Sequence, residues 1–242
     1  MTNTLSEASP STRGRILAAL YLVVIIGGII AQVLIADQLI VYDDAAQTTA
    51  NILANSSLYR LAFTIFMIEM AAQMALSTMF YDLLKPVNRS LARTALIMGL
   101  TGSGIKTMAR LFYYVPLILL GGASYLTAFQ PSQLDALTLA FIRINNQGAA
   151  IALVFFGFET ILRGWLVFNS EFLPRFLGVL SMIGGIGWLT WLWPPLGSQA
   201  FTGVALFAIA GVIATSGWLF IRGVDDAKWR ERAALATTSM WR

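Results

Sequence analysis

The chain has 242 residues, 57% of them apolar and 12% charged, with a formal net charge of +4. Charge at about half the soluble norm and a mean hydropathy of +0.72 exclude a soluble globular protein, and the apolar content excludes a disordered one. Neither cysteine nor histidine occurs, which removes disulfides, thiol nucleophiles, histidine or thiolate metal sites, histidine-ligated haem and a histidine general base.

A helix crossing the bilayer needs about 20 mostly apolar residues, with its backbone hydrogen bonds closed within the segment. The pattern predicts an all-α, polytopic transmembrane bundle of six spans. Residues 1–13 read as a loose polar tail, 14–222 as the membrane domain and 223–242 as a cytoplasmic C-terminal tail. The first span is Ile16–Ala36, too long an apolar run for a signal peptide and without a small-residue cleavage site before Asp37. In the following outer loop Asp43 is expected to cap a short amphipathic helix, with Asp44 in its first turn. Ser56 or Ser57 then offers a cap for the second span, Leu58–Tyr81. The third, Thr94–Leu120, is expected to kink one turn before Pro116. Pro131 starts the fourth helix ahead of its apolar stretch Leu139–Trp165. The fifth span is Leu173–Trp193, Pro194–Ser198 reads as a turn, and the sixth span is Phe201–Ile221. Asp225–Arg232 reads as an interfacial helix.

Basic residues orient this frame. Arg13 and Arg15, then Lys85, Arg89 and Arg93, then Arg163 and Arg175, then Arg222, Lys228, Arg230, Arg232 and Arg242 fall on one side; Arg60 alone falls on the other. The positive-inside rule puts both termini in the cytoplasm. The same distribution explains the sequence pI of 9.6 without nucleic acid, which is not an expected partner.

Charges within spans are the informative departures, since each costs about 2.5–3.5 kcal/mol at mid-span on insertion scales. Glu69 and Gln73 share one face of the second helix, with Ser77 continuing it; Lys106 and Arg110 share one face of the third, followed by Tyr113 and Tyr114. On the fourth helix Arg143, Asn146 and Gln147 share a side and Asn145 lies beside it. These residues are expected to converge on one polar cluster in the outer half of the membrane, with Gln32 of the first span within reach. Three cations facing the single acid Glu69 leave a surplus that an anion would satisfy. The candidate ligand-binding residues are therefore Glu69, Gln73, Lys106, Arg110, Tyr113, Tyr114, Arg143, Asn145 and Asn146. Glu159 and Arg163, four apart, read as a structural ion pair near the cytoplasmic interface.

Three functions remain open at this level. One is binding or transport of a small anionic or amphiphilic ligand, including a lipid headgroup. Another is a non-catalytic accessory subunit whose cluster only holds helices together. The weakest is a membrane enzyme using Glu69 and Lys106, because no nucleophile or metal constellation accompanies them. No catalytic residue, cofactor or metal is expected; membrane lipids are the expected partners. Small-residue helix faces serve internal and intermolecular packing alike, so the oligomeric state is not legible.

Several stretches carry a family resemblance. They are Leu39-Ile40-Val41, Asp44-Ala45-Ala46, Ala50-Asn51-Ile52-Leu53-Ala54, Leu83 to Ala92 with its Lys85-Pro86-Val87-Asn88, Gly148, Leu153 to Gly157, and Phe172 to Leu180. In these the chain resembles the bacterial membrane family of domain of unknown function 4386. The resemblance implies a multi-spanning protein of the bacterial cytoplasmic membrane and carries no activity with it. Members often have histidine where this chain has Asn145 and Glu159, so no histidine-based function or metal site carries over.

Overall fold

In the computed structural model, residues 9–239 are described, and among them the regular structure is helical, with no strand. Helix α1 is Pro10–Leu39, with its stretch Ile29–Ala36 wound as a π-helix. Then come α2 Ala45–Ala54, α3 Ser56–Leu84, α4 Arg89–Leu119 and α5 Pro131–Phe168. The chain continues with α6 Arg175–Leu192, α7 Pro194–Ile221 and α8 Asp226–Ser239. Five of these helices, α1, α3, α5, α6 and α7, are long and apolar enough to cross a membrane. Helix α4 is 31 residues long but is not among them, because lysine, arginine and several small polar residues dilute its apolar character. Residues 1–8 of the expected tail, and Arg242, lie outside the described residues.

The six long helices form a closed ring. Each of α1, α3, α4, α5, α6 and α7 packs on its neighbour in that order, and α7 returns to pack on α1. Sequential helices joined by short turns become neighbours, and the ring closes because the two ends of the chain meet. Gly14 of α1 approaches Val224, the Ser11 amide donates to Asp226 at 2.7 Å, and Gly223 turns the chain there with φ +69°. Two apolar clusters fill the ring's ends. One holds Leu17, Leu76, Phe80, Leu166, Leu177 and Leu219, at the end where the basic turns lie. The other holds Ile35, Ile52, Tyr59, Phe66, Tyr113 and Ile142, at the end covered by α2.

Helices α5 and α6 meet closer than any side chain allows. A Cβ on Gly164 would lie 2.7 Å from the Gly178 carbonyl, and one on Gly178 would lie 2.6 Å from the Gly164 carbonyl. The same reciprocity joins Gly157 and Gly185, at 2.9 and 2.8 Å. The two glycines of each helix are therefore seven residues apart, in antiparallel register, and backbone touches backbone at both points.

Several ends differ from the sequence expectation for local reasons. Helix α1 begins at Pro10 rather than after residue 13, because Ser9 caps it by accepting from the Thr12 amide at 3.2 Å. Asp44, not Asp43, caps α2, accepting from the Gln47 amide at 2.8 Å. Neither Ser56 nor Ser57 caps α3; the preceding Asn55 breaks the line between α2 and α3, and Ser56 is already helical. Pro194 and Pro195 open α7 instead of forming a turn, since proline at the first helical positions gives up a donor that has no partner there. Pro131 does the same for α5, behind a Gln130–Gln133 capping box. Asn88 caps α4 through the Leu91 amide at 3.0 Å.

Candidate functional site

Two open cavities lie within the ring, each lined by all six long helices. The larger, about 410 Å³, lies toward the α2 end and carries Gln32, Asp37, Glu69, Lys106, Arg110 and Asn146 among apolar walls that include Phe66, Trp188 and Trp191. The smaller, about 200 Å³, extends from Gln73 and Lys106 toward Glu159 and Arg163. Lys106, Leu153 and Trp188 line both, so they stand between the two spaces.

Lys106 of α4 donates to Glu69 of α3 at 2.7 Å, both side chains mostly buried. Glu69 Oε2 is buried without a hydrogen-bond partner among the described residues. One turn along α4, Arg110 is 2% exposed. Its guanidinium lies 3.4 Å from the centre of the Phe66 ring, and it donates to Asn145 Oδ1 at 3.1 Å. A cation over an aromatic face gains more where water is excluded. Arg110 Nε has no partner among the described residues. Asn145 passes the chain on to Asn146 at 2.9 Å, and Asn146 donates to the Tyr42 hydroxyl at 2.7 Å. Burial pushes the Tyr42 phenol above its ordinary value.

The stretch before α2 is held in place by side chains. Thr48 accepts from the Val41 amide and donates to its carbonyl, both at 2.9 Å, and Asn51 donates to the Leu39 carbonyl at 3.1 Å. The π-helical stretch of α1 carries Gln32, whose amide donates to Asp37 at 2.8 Å. A π-turn holds an extra residue per turn and is common at functional sites; here it brings Gln32 to the cavity, and Asp37 follows directly after it.

Not all of the expected cluster converges. Arg143 is exposed and donates to the Tyr42 carbonyl at 2.7 Å, holding the outer connection rather than entering the cavity. The burial of Ile142 and Asn145 turns the Arg143 side of α5 outward. Tyr114 packs against Phe63 with ring centres 5.0 Å apart and is outside the cavity. Tyr113 is buried as part of the apolar cluster, stacked on Tyr59 at 4.2 Å, and its hydroxyl has no partner among the described residues. Gln73 lines the smaller cavity, and Ser77 leaves the stripe to donate to Glu159 at 2.8 Å.

The charge balance changes with these placements. Arg143 leaves and Asp37 enters, so the larger cavity has two cations and two carboxylates. The cationic surplus expected from sequence does not exist there. Phe66 as a shelf for Arg110 was missed, although it precedes Glu69 by three residues and so shares its face.

Glu159 and Arg163 form the expected ion pair, covered by the neighbouring helices of the ring. Their side chains are 3% and 6% exposed, 3.7 Å apart, and Arg163 also donates to the Tyr21 hydroxyl at 2.6 Å and lies 4.5 Å from the Phe80 ring centre. Gly99 of α4 makes room for the carboxylate, since a Cβ there would lie 2.6 Å from Glu159 Cδ. The position near the end of the span suggested an interface; the ring packs α1, α3 and α4 around it instead. No group of three or more potential metal-binding side chains occurs among the described residues.

The sequence model of the domain of unknown function 4386 matches residues 16–223. The chain belongs to that family. The matched range takes in the whole ring apart from the first turns of α1, with both buried ion pairs, and stops before α8. No curated protein and no solved structure matches the chain. Membership in the family and its apolar helices are those of an integral membrane protein.

Proposed function

We propose that this protein binds the polar head of a small amphiphile in the larger cavity, between Glu69, Lys106 and Arg110. The observation that carries the reading is the pair of unpartnered buried atoms, Glu69 Oε2 and Arg110 Nε, at a cavity lined by all six helices. One is an acceptor and the other a donor, so a group offering both fits better than a plain anion. Two cations and two carboxylates favour a zwitterionic head, and the aromatic wall favours an apolar tail. Isothermal titration with glycerophosphocholine and with glycerol 3-phosphate tests this on the purified protein. The zwitterion is expected to bind, and Arg110→Gln to weaken it at least tenfold, about 1.4 kcal/mol. Binding of the simple phosphate alone returns the anionic reading; binding of neither overturns both.

A second reading has its own support. Lys106 already has its carboxylate at 2.7 Å, as a purely structural pair would, and an accessory subunit would co-purify with a stable protein partner.

Membrane topology belongs to the same proposal: six spans, both termini in the cytoplasm of a bacterium and α2 on the outer surface. Helix α4 supports a sixth span, because Lys106 and Arg110 face the ring while Ile97, Met108 and Leu111 are 52%, 63% and 56% exposed on its outer side. Since the chain has no cysteine, single cysteines report position directly. Ser132→Cys is expected to react with an impermeant maleimide on intact cells, and Ser90→Cys only after permeabilisation; the reverse pattern inverts the topology.

A further inference from the structure

Outside the ring, a groove of about 660 Å³ runs between the α3–α4 turn and α8. Lys85 and Arg89 border it on one side and Arg232 on the other, while Tyr81, Val87 and Trp229 make its floor apolar. Its walls are fixed. Trp229 donates its indole N–H to the Leu83 carbonyl at 2.9 Å, fastening α8 to the end of α3. Asn88 caps the 31-residue α4 at this point, so the positive end of that helix faces the groove. Lys85 is paired with Asp82 at 2.7 Å, and the lining of the groove has three basic side chains and no acidic one among the described residues.

We infer that this groove is a binding site for an anionic phospholipid, whose phosphate lies among Lys85, Arg89 and Arg232 and whose upper acyl chain lies on Trp229 and Val87. Basic pockets beside the cytoplasmic ends of membrane helices take such headgroups, and the groove's volume suits a headgroup with its glycerol. The apolar floor favours a lipid over a free phosphate. The site rests on the cytoplasmic placement of the basic end proposed above, but not on a ligand in the central cavity. Helix α8 lies beyond the range matched by the family, so one wall of the groove comes from outside it.

The test is native mass spectrometry of the full chain in neutral detergent, titrated with dioctanoyl phosphatidylglycerol, dioctanoyl phosphatidylcholine or inorganic phosphate. With Arg110→Gln as the background, which weakens zwitterion binding in the central cavity, one phosphatidylglycerol is expected to bind at least tenfold more tightly than phosphatidylcholine. In that background Arg89→Gln with Arg232→Gln is expected to abolish the preference, and the corresponding double lysine variant to keep most of it. Should the double glutamine variant lose its helical circular dichroism, Arg232→Gln alone carries the test. Equal affinity for the two lipids, or a preference that survives the loss of both arginines, overturns the site. Displacement of the lipid by equimolar inorganic phosphate overturns the lipid as its occupant.

Discussion

Arg163→Met is expected to destabilise the folded ring by about 3–5 kcal/mol, the cost of leaving a buried charge without its partner. Glu159 would keep its hydrogen bond from Ser77 but lose the cation and the aromatic-backed guanidinium. Lowered unfolding midpoints in detergent measure the effect, and Glu159→Gln added to Arg163→Met is expected to restore most of it. The exposed pair Lys85–Asp82 supplies the contrast. Its side chains are 42% and 44% exposed, and Lys85→Met is expected to cost no more than about 1 kcal/mol. Equal effects at the two pairs would show that burial does not set the strength of the inner one.

Gly178→Val is expected to separate α5 from α6. Its Cβ would lie 2.6 Å from one backbone oxygen and 2.7 Å from the Phe168 nitrogen. Neither atom can rotate away as a flexible side chain does, so the helices must part. Overpacking a core costs about 1–3 kcal/mol and occasionally more; contact with the α5 backbone at two points puts this substitution at the upper end. Gly104→Ala on α4 meets nothing within 4 Å and is expected to be neutral or stabilising by up to about 1 kcal/mol through helix propensity. Unfolding midpoints of the two variants in one detergent give the comparison. A Gly178→Val protein as stable as Gly104→Ala would mean that the close approach is not needed.

Much of this organisation was legible from periodicity. Apolar length located the six long helices, five of which are apolar enough to cross a membrane, and the four-residue spacing of Lys106 and Arg110 placed both on one face, the face that meets Glu69. What escaped was rotation about the helix axis where competing polar residues sit side by side. On α5, Arg143, Asn145, Asn146 and Gln147 lie within five positions, and composition did not say which of them would face inward. Packing decided it, because Gly148 must face Ala109, where a Cβ would lie only 2.6 Å away, and Ile142 and Asn145 turn in with that side. The inner pair was legible as a pair, but not its burial. Depth along a helix does not give nearness to water, and the surrounding helices cover Glu159 and Arg163. The reciprocal glycines were invisible as pairs, since their register depends on two helices at once.

The ring's closure by its first and last members has a consequence for how the protein is made. The two buried ion pairs can form early in synthesis: Glu69 leaves the ribosome one hairpin before Lys106, and Glu159 and Arg163 leave on the same helix. Neutralisation can therefore proceed pair by pair while the barrel of helices is still an open arc. Only the arrival of α7 beside α1 seals the interior, so a chain halted before Pro194 would expose to lipid the same polar lining that the finished molecule encloses.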